Sequence, residues 1–309
     1  MNKSPEVKKP HRFAKVCALG SLALASFLAT DAVAHEFGTT DFAVTEATAA
    51  DFAATSDFAT APGCAERDMR IVYFPGVVSD VTPQNPSWDT YINYLTKQAT
   101  DGVDILHYDT GSKFDIDDIV PGIAALLHQD LAQHASVTLV ATSMGGQVAA
   151  QALADGDFSE DELARMQLIL DDAPSGSNTI KTPGSWAFHV YYPGPMQSWL
   201  LAKPFGDSAF PGQPAKLYPF EAFADQVRFI MQGIPNSAAL NGIAKVYYLQ
   251  GNPSKDKVVV QPAAAQAWEE VLPNMVVVKV DAGHAGFPTD RANYATAFDW
   301  VFAGVCAAP

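Results

Sequence analysis

Between residues 69 and 305, short β-branched and aliphatic runs alternate with stretches whose apolar positions recur every three or four residues. That alternation constrains the chain to an α/β fold, a mainly parallel sheet with helices on both faces. Candidate strands are 69–74, 103–107, 137–141, 167–170, 245–249 and 275–280. Candidate helices are 86–97, with Trp88, Tyr91, Ile92 and Leu95 on one face, then 115–133, 147–154 and 291–302. Pro121 predicts that the regular part of the second helix begins there. The alternation breaks from about 174 to 243, where Pro, Gly and aromatic residues concentrate over too long a stretch for a loop, so an inserted cap is expected.

Composition narrows the partners. The chain of 309 residues has 48% hydrophobic and 17% charged residues, which excludes disorder over its whole length. With 19 Lys and Arg against 34 Asp and Glu, the formal charge of -15 leaves no broad cationic surface for nucleic acid. No Cys or Cys/His spacing suits a metal, and no cofactor is implied.

Five basic residues, Lys3 to Lys15, precede the apolar run 16–30 and the small residues Ala32, Val33 and Ala34. This reads as a cleavable signal peptide, 1–34, with export to the periplasm or cell envelope or beyond, and no transmembrane anchor. Residues 35–63 repeat Asp-Phe-Ala irregularly and read as a low-complexity linker ahead of a folded domain at 64–309. Cleavage removes Cys17 and leaves Cys64 and Cys306, an even pair expected to form one disulfide.

The strand 137–141 runs directly into Ser143-Met144-Gly145-Gly146 and a helix. A serine in such a strained strand-to-helix turn needs small neighbours, and Ala141 and Gly145 flank it two places either side. A base should follow: His284, in the turn Asp281-Ala282-Gly283-His284 after the last strand, has the placement of a general base. Asp256, on the loop after strand 245–249, suits the carboxylate that orients it, with Asp171 and Asp172 after an earlier strand as rivals. The amides of Met144 and of Val77, beside Gly76, are candidate oxyanion donors.

These points, in this order, resemble the α/β-hydrolase family, and more loosely its secreted bacterial lipases and esterases. Ala141 replaces the family's usual Gly, and Phe74-Pro75-Gly76 stands where many members have His-Gly. The resemblance implies a Ser143, Asp256 and His284 triad, a covalent acyl-enzyme resolved by water, and a small-molecule or lipid ester as substrate. An acyltransferase using the same triad and a catalytically silent binding protein are the alternatives. Eleven aromatic residues between Trp186 and Phe229 suggest that the cap spends most of its rings on its own core and a few on an apolar wall for an acyl or alkyl group.

Overall fold

Most strand residues are apolar because the central strands of the sheet are covered on both faces. The computed structural model describes residues 43–48, 59–77, 86–108, 114–181, 220–284 and 290–307. Among these, in chain order, are β1 (Ala43–Ala47), β2 (Met69–Phe74), α1 (Pro86–Gln98), β3 (Val103–His107), α2 (Ile116–Gln133), β4 (Ser136–Thr142), α3 (Gly145–Asp155), α4 (Glu160–Leu163) and β5 (Met166–Asp171). There follow α5 (Phe220–Gln232), β6 (Lys245–Gly251), α6 (Gln261–Val271), β7 (Val276–Val280) and α7 (Arg291–Cys306). The sheet order is β1-β3-β2-β4-β5-β6-β7, antiparallel only between β1 and β3.

Alternate strand residues point to opposite faces, so each strand feeds two cores. Val72, Phe74, Leu139, Leu168 and Tyr248 pack with Ile123 and Leu127 of α2, Val148 and Leu153 of α3, and Trp268 of α6. Ile71, Tyr73, Val140, Ile169 and Leu249 pack beneath α1 and α7. There Phe298 meets Tyr91 edge-on at 5.6 Å and Tyr94 at 5.7 Å. Tyr94 extends its hydroxyl to Asp299 at 2.8 Å, so this large ring is buried with its polar end satisfied. No helix among the described residues is long and apolar enough to cross a membrane.

The structure departs from the sequence reading at several points. Within the expected linker 35–63, Ala43–Ala47 forms the edge strand β1. It is held by tertiary partners: Arg70 Nη1 bonds Glu46 at 2.9 Å, and His107 Nε2 meets Thr45 Oγ1 at 3.0 Å. The same Arg70 clamps Asp104 with two bonds of 2.8 and 2.6 Å. Helix α2 begins five residues before Pro121. Its first turn is capped by Asp115, whose carboxylate accepts the Asp117 amide at 3.1 Å. Pro121 is exposed and lies near the start, so its missing N–H removes one solvent-facing bond rather than breaking the helix.

Helix α6 escapes the periodicity argument because its inward residues Ala264 and Ala265 are small and only Trp268 is large. Helix α7 continues past Phe302, so Cys306 lies in its last turn rather than beyond it. Cys64 and Cys306 come together there, with Cα atoms 5.0 Å apart. Of the expected cap, 174–243, residues 182–219 lie outside the described residues. Its C-terminal flank supplies α5, where Val227, Phe229 and Ile230 join the main core and the Ile230 carbonyl accepts Gln147 Nε2 at 3.1 Å. Phe229, one of the rings expected to build a core of the cap's own, rests against Phe114 at 5.7 Å within the main core.

Candidate active site

Because β4, β5, β6 and β7 are neighbours, the residues just past their carboxyl ends meet at one edge of the sheet. Those residues are Ser143, Asp172, Asp256 and His284, with Asp171 the last residue of β5. The ladder continues past the strands: Ser143 N–H donates to the Asp171 carbonyl at 2.8 Å and Asp172 N–H to the Leu249 carbonyl at 3.1 Å.

Ser143 has φ +53°, a left-handed conformation that costs a residue with a Cβ about 1–2 kcal/mol. Packing on every side maintains it. At Gly145 an added Cβ would lie 2.2 Å from the Phe74 carbonyl oxygen, and at Gly146 one would lie 2.5 Å from the Ala173 methyl. Ala141, where the family usually has Gly, is fully buried in β4 without displacing its neighbours Phe74 and Leu170. The loop after β2 passes over the serine so closely that a Cβ on Gly76 would stand 2.9 Å from Ser143 Cβ. A Cβ on Gly76, the residue before Val77, would also lie 3.6 Å from Ser143 Oγ, while Met144 N–H follows the serine directly in the chain. Neither the Val77 nor the Met144 amide donates a hydrogen bond to another described residue.

His284 Nε2 lies 3.0 Å from Ser143 Oγ, and its Nδ1 lies 3.3 Å from Asp256 Oδ2. The carboxylate beside Nδ1 assigns the proton to that nitrogen and leaves Nε2 to accept from the serine hydroxyl. Asp256 is fixed by three further donors. Its Oδ1 accepts the Val258 and Val259 amides at 2.7 and 2.8 Å, and its Oδ2 accepts Gln261 Nε2. Burial would raise the Asp256 pKa, but the charge and hydrogen bond of His284, the Val259 amide and Gln261 outweigh it and hold the group at about 2. For His284 burial works downward and is overcome by the charge and hydrogen bond of Asp256, then by the charges of Asp172 and Asp171, so its pKa is raised above that of an ordinary imidazole.

The two rivals for the acid are placed differently. Asp171 turns one oxygen to Thr142 Oγ1 at 3.2 Å, and its buried Oδ1 has no hydrogen-bond partner among the described residues. Burial and the charge of Asp172 push its pKa well up. Asp172 lies beside the triad: one oxygen or nitrogen from each of Asp172, Asp256 and His284 falls within 4.8 Å of the others. Both ring nitrogens of His284 are engaged, which argues against this trio as a metal centre. The other such group, Asp68, Asp101 and His134, is a mostly exposed cluster whose histidine already pairs with Asp68 at 2.9 Å. Sequence reasoning missed Gln261. Gln261 opens α6, and its burial was the signal that could not be read without that helix.

The loops that carry acid and base are tied to each other. Asn252 N–H donates to the Ala282 carbonyl at 2.9 Å, Asn252 Nδ2 to Asp281 Oδ1 at 2.6 Å, and Lys255 Nζ to the Asp281 carbonyl at 2.8 Å. The arrangement can pass a proton from Ser143 Oγ to His284 Nε2 and hold the resulting imidazolium against a carboxylate.

No curated protein matches the chain by sequence. Among solved structures, the chain is similar to an esterase from Exiguobacterium antarcticum, with TM-score 0.54 and 15% identity over 85% of this chain and 97% of that one. An esterase, RhEst1, from Rhodococcus sp. ECU1013 gives TM-score 0.52 and 16% identity over 84% and 94%. MenH from S. aureus gives TM-score 0.54 and 15% identity over 87% and 99%. At such identities the likeness speaks for the fold. The sequence model of the alpha/beta hydrolase family matches residues 71–297, from β2 into α7 and across every strand end just described. The chain belongs to the α/β-hydrolase family.

Proposed function

We propose that the protein is an exported serine hydrolase that cleaves carboxylic esters through an acyl-enzyme. The observation that carries this reading is the 3.0 Å contact between Ser143 Oγ and His284 Nε2 on a strained turn overlain by the Gly76 loop. Ser143 Oγ attacks the ester carbonyl as its proton passes to Nε2, and the Val77 and Met144 amides receive the oxyanion. The proton then goes to the departing alcohol. Water attacks the acyl-enzyme, again losing a proton to Nε2, and the carboxylic acid leaves as Ser143 regains its proton. Asp256 remains ionised throughout and orients the ring.

Reaction with a fluorophosphonate probe tests the reading: covalent labelling at Ser143 is the expected result, and folded protein that resists the probe would favour a binding role. Product analysis with and without added alcohol separates hydrolysis from acyl transfer. Among soluble p-nitrophenyl esters, kcat/KM is expected to rise from acetate toward butyrate or hexanoate. Each CH₂ buried against apolar side chains contributes up to ~0.8 kcal/mol, about fourfold in rate. An optimum at acetate would mean that no apolar wall faces the acyl group.

Export through the 1–34 signal would deliver Cys64 and Cys306 to an oxidising compartment. Their separation of 242 residues makes the closed loop nearly the whole domain. Chain entropy assigns such a loop about 5 kcal/mol, before any strain is subtracted. Reduction is therefore expected to lower Tm by several degrees while labelling at Ser143 persists, and intact-mass analysis finding two free thiols in the exported protein would refute the bond.

A further inference from the structure

Asp172 is fully buried, bears a φ of +53°, and is the only described carboxylate besides Asp256 grouped with the imidazole of His284. The surrounding chain accommodates its charge. Gly251 N–H donates to Oδ1 at 2.8 Å, and a Cβ on that glycine would come within 2.7 Å of the same oxygen. Tyr294 Oη donates to Oδ2 at 2.6 Å and lies 3.3 Å from the carbonyl of Gly283, the residue before the histidine. The turn is locked by Tyr248 Oη and Trp268 Nε1, both donating to the Ala173 carbonyl, at 2.9 and 3.1 Å. A carboxylate of purely structural use would not need to stand beside another carboxylate, since like charges at such distances oppose each other.

We infer that Asp172 is a second carboxylate of the imidazole, a positioning residue that holds the His284 imidazolium jointly with Asp256. The inference rests on the serine-hydrolase reading and deepens it. The groups facing the imidazole are Ser143 from the β4–α3 turn, Asp172 just after β5 and Asp256 from the loop after β6, while Asp171, turned toward Thr142, acts on it through charge alone. Tyr248 of β6 and Tyr294 of α7 face the carboxylates. On the solvent side Lys255 pairs with Asp281 at 3.0 Å. Burial, then the charge of Asp256, raises Asp172, while His284, Tyr294 and the Gly251 amide restrain it to about 6. Above that pH both carboxylates are ionised, and each favours the imidazolium that forms when Ser143 gives up its proton. The acid limb of the reaction then belongs to the trio rather than to the histidine alone.

The test is the rate of Ser143 labelling by a fluorophosphonate from about pH 5 to 9, in wild type, Asp172→Asn and Tyr294→Phe. Asparagine keeps the shape and tolerates positive φ, so the change is chiefly one of charge. A rate that needs neutral His284 falls as pH drops through its pKa. Removing the Asp172 charge lowers that pKa, so the midpoint of the acid limb should move down by about one unit, with a plateau about tenfold slower. Tyr294→Phe, which removes a donor to the ionised form, should move the midpoint the same way by less, and it serves if Asp172→Asn does not fold. An unmoved midpoint in the folded variants, with only Tm or the plateau lowered, overturns the inference and leaves the serine-hydrolase reading intact. Wild type that folds but shows no labelling at Ser143 overturns both.

Discussion

Ser143→Ala is expected to fold as wild type and to lose at least about 10⁴-fold in kcat/KM for a p-nitrophenyl ester, since nucleophile and base act as a unit. Ser143 is nearly buried, and its hydroxyl bonds only the histidine among the described residues, so the substitution removes one partner without opening a cavity. Stability should respond to backbone conformation instead. Alanine inherits the φ of +53°, whereas Ser143→Gly releases the cost of about 1–2 kcal/mol that a Cβ carries there. Glycine gives back only about 0.4–1 kcal/mol through the freedom of the unfolded chain. The glycine variant should therefore be at least as stable as the alanine variant, and equally inactive. Retained turnover in either would place the nucleophile elsewhere; a glycine variant clearly less stable than the alanine variant would mean that the turn is unstrained.

Gly145→Ala should damage stability and activity together. The added methyl carbon would meet the Phe74 carbonyl oxygen at 2.2 Å and the Phe74 carbon and Pro75 oxygen at 2.7 Å, all of them backbone atoms. No rotamer change relieves such contacts, so either α3 or the end of β2 must move. Overpacking of this kind costs about 1–3 kcal/mol or more. The displaced elements carry Ser143 on one side and the Gly76-Val77 loop on the other, and a shift of about 1 Å between reacting groups can cost 10²-fold in rate. Denaturant unfolding and ester kinetics on the purified variant measure the two effects. Wild-type stability with wild-type kcat/KM would show that β2 and α3 approach each other less closely than these distances state.

What could be read without a structure follows the range of the interaction responsible. The β4–Ser143–α3 passage was legible because apolar run, small flanks and helix former lie within about twenty consecutive residues and answer to local sterics. His284 was legible because it follows a strand in a Gly-containing turn. The relation of Asp172 to the same imidazole was not, because it depends on β5, β6 and β7 being adjacent and on Gly251 admitting the carboxylate. The pair Asp171 and Asp172 reads as equivalent in sequence, yet alternation sends the first toward Thr142 and the left-handed turn sends the second toward His284. Strand β1 failed for the same reason. Ala-Val-Thr-Glu-Ala has little propensity of its own, and what makes it a strand is the chain of β3 and the guanidinium of Arg70.

That short strand has a practical consequence for where the chain can be cut. A protein trimmed to begin at Cys64, the boundary suggested by composition, would lose the strand that, among the described residues, covers the outer backbone groups of β3. It would also leave Arg70 without the Glu46 carboxylate. An uncovered strand of the composition Val-Asp-Ile-Leu-His is a template for pairing with another copy, the usual origin of edge-to-edge aggregation. Residues 43–47 thus close the described margin of the sheet, and deleting them is expected to promote self-association, which light scattering of the trimmed protein would measure.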